Sequence, residues 1–343
     1  MSPPYDARDP CQTYAHGVTT PRSILAADLA GVPLANCLVL AAGTAGTLDE
    51  MGDCFDLSRV GAIVTKSITP KPREGNATWR LLPRGVGMLN AVGLANVGVD
   101  AFVRDYGPRI AQVPTTVIGS IAGFSIDDYV RVASAMDAID AMPAVEVNVS
   151  CPNVHGGVEF GLDPASLREL VGEMRRVLPR TRLIIKLSPV AMGLVDCVQL
   201  ARAAIEGNGA PGGPNQRPGA DALTLCNTMR AMAIDVRSRR PMLAHGSGGL
   251  SGPAVHPIVV KIVRDVYTGV ARDAGVPIIG LGGVSSWESA AEFILAGASA
   301  VGVGTMNFAD PRAVLRISRG LEKWVRGQGT SSVRELVGAV REG

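Results

Sequence analysis

Short apolar runs recur along the chain, each bounded by glycine, proline or polar residues. Many of their side chains are β-branched, which favours β-strands. The runs are continuously apolar instead of alternating, as expected for strands that are buried on both faces of a parallel sheet. Eight runs of this kind occur, at residues 37–42, 61–66, 115–121, 144–149, 182–187, 220–226, 276–281 and 299–304.

Helical patterns lie between the predicted strands, and some begin with residues that commonly cap helices. Ser125 precedes two aspartates, Asp163 precedes a proline, and Ser285 stands at the start of a later pattern. The clearest helical patterns cover residues 125–139, 163–177, 191–206, 254–274, 285–296 and 310–326. Eight strands that alternate with helices predict an α/β fold, a closed (β/α)8 or TIM barrel. A doubly wound open sheet is the alternative, but no GxGxxG follows the first strand.

Three segments interrupt this repeat. Residues 1–22 are polar and contain prolines, so we interpret them as an N-terminal extension and 23–343 as a single barrel domain. Residues 67–96 form a predicted long loop after the second strand, and residues 207–219 a predicted loop before the sixth. A long loop that follows a strand lies at the C-terminal face of a barrel, where such enzymes build their active sites.

The composition excludes several classes of protein. The chain has 33 basic and 31 acidic residues, and this net charge of +2 argues against a nucleic-acid-binding surface or a polybasic membrane patch. A hydrophobic content of 47% excludes a disordered chain. No apolar run reaches the roughly 18–20 residues of a membrane span, and the first residues lack a signal-peptide pattern. We therefore expect a cytoplasmic protein with no membrane or nucleic-acid partner.

The six cysteines include no CxxC pair, so the sequence predicts free thiols instead of a zinc or cluster site. No cluster of histidine or acidic residues has the spacing of metal ligands, and we expect no bound metal. Cys151 differs from the other cysteines because it follows a strand within the polar sequence NVSCPN. It is the candidate reactive thiol, and a small buried apolar side chain is the alternative.

Polar residues and glycines stand at the carboxyl ends of the predicted strands, where barrel enzymes place their chemistry. Two of only five lysines, Lys66 and Lys186, end apolar runs, where a charge is costly without a partner. A glycine pair follows strand seven, and a glycine–threonine pair follows strand eight. At such positions backbone N–H groups can approach phosphate oxygens. These features predict a phosphate-bearing cofactor. Asparagines at 90, 148, 153 and 227 offer amide donors and acceptors that suit a planar imide or amide ring.

Eight segments, in order, resemble the class 1 dihydroorotate dehydrogenases. They are GAIVTKSITPKPREGN, GMLNAVGL, VEVNVSCPN, IIKLSP, LCNTM, GGLSGPAVHP, IIGLGGV and VGVGTMNFADP, and the resemblance as a whole covers about residues 36–325. The sequences PREGN, NVSCPNV and GGLSGPA are most similar to the class 1B catalytic subunit, which is linked to NAD. The resemblance implies an FMN-binding TIM barrel that oxidises (S)-dihydroorotate to orotate in de novo pyrimidine (UMP) biosynthesis.

The resemblance also implies a role for each matching residue. Cys151 matches the catalytic base, which takes a proton from the substrate while FMN N5 accepts a hydride. Lys66 matches a residue that contacts both flavin and substrate. The other residues implied for the cofactor are Ala42, Gly43, Ser67, Ser120, Asn148, Lys186, Cys226, Gly252, Gly282, Gly283, Gly304 and Thr305. The other residues implied for the substrate are Asn90, Ala91, Val92, Gly93, Leu94, Asn148, Asn153, Asn227 and Thr228.

Three of these positions depart from the family pattern. Ala42 stands where serine is usual, Ser120 where asparagine is usual, and Cys226 where an aliphatic residue is usual. The identity of the substrate therefore stays open. It is dihydroorotate, or the chain is another flavin-dependent dihydropyrimidine dehydrogenase or a dihydrouridine synthase-like enzyme with a different substrate. A barrel aldolase with Lys186 as Schiff-base lysine and a binding module without catalysis are further alternatives.

The resemblance implies partners as well as a substrate. The resemblance to the class 1B catalytic subunit implies that the chain forms a homodimer. If NAD accepts the electrons, a second subunit with FAD and an iron–sulfur cluster must relay them, whereas fumarate as acceptor needs this chain alone.

Overall fold

Eight parallel strands form a closed barrel in the computed structural model, which describes residues 23–85, 87–150, 160–189, 196–209 and 217–341. Each strand pairs with the next along the chain, and the last pairs with the first, with Val301 opposite Leu38. The strands are β1 (Leu38–Leu40), β2 (Ala62–Ile68), β3 (Thr116–Ile121), β4 (Ala144–Asn148), β5 (Arg182–Leu187), β6 (Ala222–Leu225), β7 (Ile278–Leu281) and β8 (Ala300–Val303). The predicted TIM barrel is confirmed, and all eight apolar runs are its strands.

Helices follow the strands and cover the barrel. They are α1 (Val99–Ala101), α2 (Ile126–Asp137), α3 (Pro164–Val177), α4 (Cys197–Glu206), α5 (His256–Val266), α6 (Arg272–Ala274), α7 (Trp287–Ala296), α8 (Met306–Ala309) and α9 (Ala313–Gly327). A π-turn and a 3-10 helix extend α1 to Gln112, and a π-turn joins α5 to α6. After β1 there are only the 3-10 turns Glu50–Asp53 and Leu57–Arg59. None of the helices in these ranges combines the length and apolarity needed to cross a bilayer.

Side-chain caps set the beginnings of several helices. Ser125 accepts a hydrogen bond from the Asp128 N–H at the start of α2, and Asp163 accepts one from the Ser166 N–H at the start of α3. Both caps were predicted from the sequence. The cap of α7 is Ser286, one residue beyond the serine predicted to begin it. Each cap satisfies an N–H group that has no partner within its helix.

A four-stranded antiparallel sheet lies beside the C-terminal face. Its strands, in spatial order, are Met229–Ala231, Gly248–Ser251, Gly87–Asn90 and Leu81–Arg84. The prediction of a loop over residues 67–96 was therefore wrong for its second half. Those strands are short and partly exposed, and they are completed by Gly248–Ser251, which lies far away in sequence. Leu89 of this sheet packs with Ala233 and Leu243 in a small apolar cluster.

Two further hairpins complete the described structure. Ile234–Asp235 pairs with Arg240–Pro241 next to the four-stranded sheet. Ala27–Leu29 pairs with Val32–Leu34 near the first residues of β3 and β5, since the Thr116 hydroxyl donates to the Pro33 carbonyl and Arg182 lies against Gly31. This second hairpin buries Leu29 and Leu34 in the main core and closes the amino end of the barrel.

Candidate active site

Two adjoining cavities lie between the carboxyl ends of the barrel strands and the four-stranded sheet. One, of about 540 Å³, is walled by Gly252, Gly282, Gly283 and Gly304, and we name it the glycine cavity. The other, of about 500 Å³, is walled by asparagines and is named the asparagine cavity. Residues that line both are Ala42, Thr44, Met88, Lys186, Asn227, Thr228, Ser251, Thr305 and Phe308. A ligand that fills one cavity therefore borders a ligand that fills the other.

The wall of the glycine cavity excludes side chains where the chain follows β7. Gly283 has a φ of +70°, and a Cβ added to it would lie 2.6 Å from the Gly252 carbonyl oxygen. Gly252 itself has a φ of +96° and precedes the turn that leads into α5. Only glycine fits these positions, and the bare backbone leaves its N–H groups open to a close ligand. This cradle fits a phosphate group.

Hydrogen bonds hold the glycine segments in place. The His256 ring lies at the start of α5, with Nδ1 2.8 Å from the Gly282 carbonyl oxygen and Nε2 2.6 Å from the Glu292 carboxylate. On the opposite side, the Thr305 hydroxyl donates to the Ser251 hydroxyl at 2.7 Å. The ends of β7 and β8 are therefore tied to α5 and to the four-stranded sheet.

A hydrogen-bond network joins the ends of β4, β5 and β6 beneath the asparagine cavity. The Asn227 amide nitrogen donates to the Asn148 side-chain oxygen at 3.1 Å and to the Ser150 hydroxyl at 2.8 Å. The Ser150 N–H donates to the same Asn148 oxygen, and the Ser188 hydroxyl donates to the Ser150 hydroxyl at 2.8 Å. Ser150 is thus anchored by three side chains, directly before Cys151.

The network decides which amide groups can reach a ligand. Among the described residues, none accepts a hydrogen bond from the Asn148 amide nitrogen, and none donates one to the Asn90 side-chain oxygen. The Asn90 nitrogen donates to the Gly249 carbonyl at 3.1 Å, which orients its oxygen. The cavity therefore offers an amide donor from Asn148 and an amide acceptor from Asn90, as a planar imide ring requires.

The segment 90–94 forms one wall of the asparagine cavity and is held by Asn76. The Asn76 side chain donates to the Ala91 carbonyl at 2.8 Å, and its backbone N–H donates to the Val92 carbonyl at 2.9 Å. Gly93 has a φ of +76°, and a Cβ there would lie 2.7 Å from Asn76. Leu94, with a φ of +57°, adopts the same left-handed region without being glycine, a strain that functional sites often hold.

The charges at the two cavities favour anionic ligands. Lys66, Lys186 and Arg73 line them, and no described aspartate or glutamate does. Burial lowers the pKa of Lys66, and the neighbouring cations Arg80 and Lys186 lower it further. A negatively charged ligand would relieve this accumulation of positive charge.

Lys186 has a buried partner on the neighbouring strand. Its ammonium lies 3.3 Å from a Glu146 carboxylate oxygen, and the other Glu146 oxygen accepts a hydrogen bond from the Thr224 hydroxyl at 2.8 Å. The pair fixes the Lys186 side chain inside the barrel, below the point where the cavities meet.

The residues predicted from the sequence converge on these cavities wherever the structure describes them, with one exception. Ser120 is fully buried and lies behind the cavity wall, where its hydroxyl is 2.8 Å from that of Ser67. Cys151 and Asn153 lie outside the described residues. Those at the cavities are Ala42, Gly43, Lys66, Ser67, Asn90, Ala91, Val92, Gly93, Leu94, Asn148, Lys186, Cys226, Asn227, Thr228, Gly252, Gly282, Gly283, Gly304 and Thr305.

Other lining residues were not singled out from the sequence. They include Arg73, Asn76, Met88, Phe124, His245 and Phe308. Arg73 and Asn76 lie in the PREGN motif, so the motif itself was a usable signal. Met88 and His245 come from the region of the four-stranded sheet, whose position the apolar pattern did not predict.

The described cysteines are poor candidates for a reactive thiol. Among them, Cys37, Cys54 and Cys226 are free thiols, as predicted. Burial raises the pKa of the Cys37 thiol to about 12 and also strongly raises that of Cys226, which lines the glycine cavity. Within the ranges that the structure covers, no group of histidine, cysteine or acidic residues could hold a metal ion.

Comparison with known proteins gives a consistent result. The family model described as dihydroorotate dehydrogenase matches residues 24–325. The dihydroorotate dehydrogenase B (NAD(+)) catalytic subunit of Geotalea daltonii is 43% identical over 318 residues, which cover 92% of this chain and 98% of that protein. The proteins of the same name from Pelobacter propionicus and Bacteroides thetaiotaomicron are 44% and 40% identical, over 91% and 92% of this chain and 97% and 98% of their own lengths.

Proposed function

Because the chain belongs to the dihydroorotate dehydrogenase family, we propose that it oxidises (S)-dihydroorotate to orotate in de novo pyrimidine biosynthesis. Enzymes of this family are flavin-dependent oxidoreductases. The observation that carries the proposal is the pair of adjoining cavities, one with a glycine cradle that fits a phosphate and one with amides and cations that suit an anionic ring. Two ligands that must exchange a hydride need this kind of adjacency.

The flavin of this chain is proposed to be FMN. Its phosphate would lie against the backbone of Gly252, Gly283 and Gly304. At Gly283 no side chain fits, so the backbone is open to a close ligand. Lys66 and Lys186 would contact the ring, since both line the cavities near their junction. Ser120 would act through Ser67, to which it is hydrogen-bonded. The other cofactor residues proposed are Ala42, Gly43, Asn148, Cys226, Gly282 and Thr305.

Dihydroorotate would bind in the asparagine cavity. Its ring contains an imide, which can accept from the Asn148 amide nitrogen and donate to the Asn90 side-chain oxygen. Its carboxylate would pair with Lys66. Asn227 contributes by holding Asn148 and Ser150, because its own N–H groups are already bonded to them. The remaining proposed contacts are Ala91, Val92, Gly93, Leu94, Asn153 and Thr228.

Cys151 is the proposed base of the reaction. Oxidation removes a proton from substrate C5 and a hydride from C6, and the bound flavin supplies the hydride acceptor. The Cys151 thiolate takes the proton. A free thiol has a pKa near about 8.5, so only a minority is ionised at neutral pH. Positive charge from Lys66 and Lys186, which line the cavity, would favour the thiolate form of a base that faces it.

The aldolase alternative loses support from the surroundings of Lys186. A Schiff-base lysine attacks as a neutral amine, which burial among apolar or cationic groups promotes. Lys186 instead forms a 3.3 Å ion pair with the buried carboxylate of Glu146, which is neither an apolar nor a cationic surrounding.

The chain is further proposed to act as the catalytic subunit of an NAD-linked enzyme, as a homodimer with a second subunit that carries FAD and an iron–sulfur cluster. Its relatives are named as the catalytic subunit of dihydroorotate dehydrogenase B (NAD(+)). Exposed apolar side chains next to the four-stranded sheet support burial against another subunit: Trp79 is 71% and Val236 84% exposed, and the exposed Met232 and Ile234 lie near Val236 in sequence.

Anaerobic addition of dihydroorotate to the purified chain is expected to bleach its flavin absorbance. Heating should release FMN, about one per chain, which chromatography distinguishes from FAD. The isolated chain should reduce an artificial dye but not NAD, because no partner is present to relay electrons. A colourless chain that takes up no flavin, or a flavin that dihydroorotate leaves oxidised, would contradict the proposal. Rapid reduction of fumarate by the isolated chain would contradict the NAD-linked assignment.

Lys66→Ala is expected to weaken binding of both flavin and orotate by about 10–150-fold, since losing a charged partner costs about 1.5–3 kcal/mol. Because the pKa of Lys66 is lowered by burial and neighbouring cations, its charge is lost at a lower pH than for an ordinary lysine. Orotate affinity of the wild type should therefore be full below that pKa and fall as the pH rises through it. Fluorescence titration at several pH values measures both.

Lys261→Ala is the matched control, because Lys261 pairs with Asp265 on the exposed face of α5. It should leave both affinities unchanged. Equal losses in the two variants would show that Lys66 has no special contact with the ligands.

A further inference from the structure

Three side chains from neighbouring strands meet inside the barrel: Lys186, which lines both cavities, and Glu146 and Thr224 beneath it. Glu146 of β4 accepts hydrogen bonds from Lys186 of β5 and from Thr224 of β6. Thr224 and Asn148 both stand opposite Lys186 in the strand register. Because side chains alternate along a strand, Glu146 and Asn148 point to the same side, with Asn148 at the cavity and Glu146 beneath it.

The Glu146 carboxylate is nearly inaccessible, with 2% of its surface exposed, and Lys186 is 6% exposed. A buried carboxylate is costly unless its oxygens are paired. Here each oxygen has one partner, Lys186 at 3.3 Å and Thr224 at 2.8 Å. These two contacts hold the carboxylate in place, and the carboxylate directs the Lys186 ammonium to one position.

This carboxylate also supplies the negative charge that the cavity lining lacks. Lys66, Lys186 and Arg73 line the cavities, and the described lining contains no acidic residue. Lys186 lines both cavities while its ammonium touches Glu146. Its charge is thus shared between a buried carboxylate and whatever ligand lies above it.

We propose that Glu146 is a positioning residue that holds the Lys186 ammonium at the junction of the two cavities and limits how strongly this cation stabilises negative charge on the bound flavin. The proposal rests on the function proposed above. Reduced flavin carries more negative charge than oxidised flavin, so the Glu146–Lys186 pair would help to set the reduction potential.

Glu146→Gln tests this role, because glutamine keeps the shape and an acceptor for Thr224 but removes the charge. The redox equilibrium should shift about tenfold toward reduced flavin, which is a rise of about 30 mV for a two-electron couple. Flavin content should stay near that of the wild type. Titration against a reference dye measures the potential, and Asp265→Asn on the exposed face of α5 is the control without a shift.

A second comparison shows whether Glu146 acts through Lys186. In a Lys186→Met background Glu146 has no ammonium to hold, so removing its charge can no longer act through Lys186. Glu146→Gln should then change the equilibrium less than about threefold. The same tenfold shift in both backgrounds, or no shift in the wild-type background, would overturn the proposal.

Thr224→Val provides an independent variant if Glu146→Gln does not fold. It removes the hydrogen bond that fixes one Glu146 oxygen, so the carboxylate holds Lys186 less firmly and the potential should rise in the same direction by a smaller amount. An unchanged or lower potential contradicts the proposal. A wild-type chain that binds no flavin would overturn the proposed function and this role together, whereas a flavin-loaded chain with unchanged potentials overturns the role of Glu146 alone.

Discussion

Replacing Cys151 with serine is expected to slow reduction of the bound flavin by dihydroorotate at least about 100-fold at neutral pH. Serine has nearly the same size but a far higher pKa, so the variant keeps the volume of the side chain and loses the base. General base catalysis is typically worth about 10²–10⁴-fold. Flavin content should stay near that of the wild type, because Cys151 acts on the substrate. Stopped-flow measurement of flavin bleaching under anaerobic conditions gives the rate.

The pH dependence identifies the thiol as the group responsible. Reduction by the wild type should accelerate as the pH rises through the thiol pKa, because only the thiolate accepts the proton. The serine variant should move this rise to higher pH. Cys54→Ser is the control, since Cys54 is a free, partly exposed thiol away from both cavities. If Cys151→Ser matches the wild type over about pH 6–9, around the ordinary thiol pKa, the base is another group.

The barrel could be predicted because its strands are buried on both faces. A run such as Ala144–Asn148 is buried on one face by the barrel interior and on the other by the surrounding helices. Its apolar residues are therefore continuous and its ends are clear. The four-stranded sheet gave no such signal. Leu81–Arg84 is mostly exposed and contains a proline, and Gly87–Asn90 finds its second partner at Gly248–Ser251. Pairing over such a distance depends on tertiary contacts that local patterns do not contain.

The candidate site was predictable in position and less so in its internal bonding. The rule that strand ends carry the chemistry of a barrel brought Lys66, Lys186 and the asparagines together. It could not show that the Asn227 N–H groups are bonded to Asn148 and Ser150. Because of these bonds, the amides that can reach a ligand are those of Asn148 and Asn90. Glu146 was passed over because it lies within an apolar run, although an acid in a strand buried on both faces was itself a signal of a partner.

A second large effect is expected at the opposite end of the barrel. Arg175 of α3 pairs at 2.8 Å with Asp221, which precedes β6, and both side chains are almost fully buried. The same carboxylate accepts the Leu183 N–H at 2.8 Å. Burial lowers the pKa of Arg175, and Asp221 is the charge that offsets this cost. The Arg175 Nε and Nη1 atoms find no hydrogen-bond partner among the described residues, so the guanidinium depends on this carboxylate.

Asp221→Asn is expected to lower the free energy of unfolding by about 3–5 kcal/mol, because breaking a buried ion pair leaves an uncompensated charge. Asparagine keeps an acceptor for the Leu183 N–H, so the loss reports on the charge. Urea denaturation of the flavin-loaded protein measures the change. Asp100→Asn is the control, since the Asp100–Arg131 pair is exposed and such pairs contribute little.

Adding Arg175→Met to Asp221→Asn separates the uncompensated charge from a loss of packing. Methionine removes the guanidinium that Asp221→Asn leaves buried without a counter-charge, and buried ion pairs can be replaced by apolar side chains at little cost. The double variant should therefore regain most of the stability lost in the single variant, a coupling expected only between residues in contact. If the double variant is less stable than Asp221→Asn, or if Asp221→Asn unfolds like the wild type, the pair is not what holds α3 against the amino end of β6.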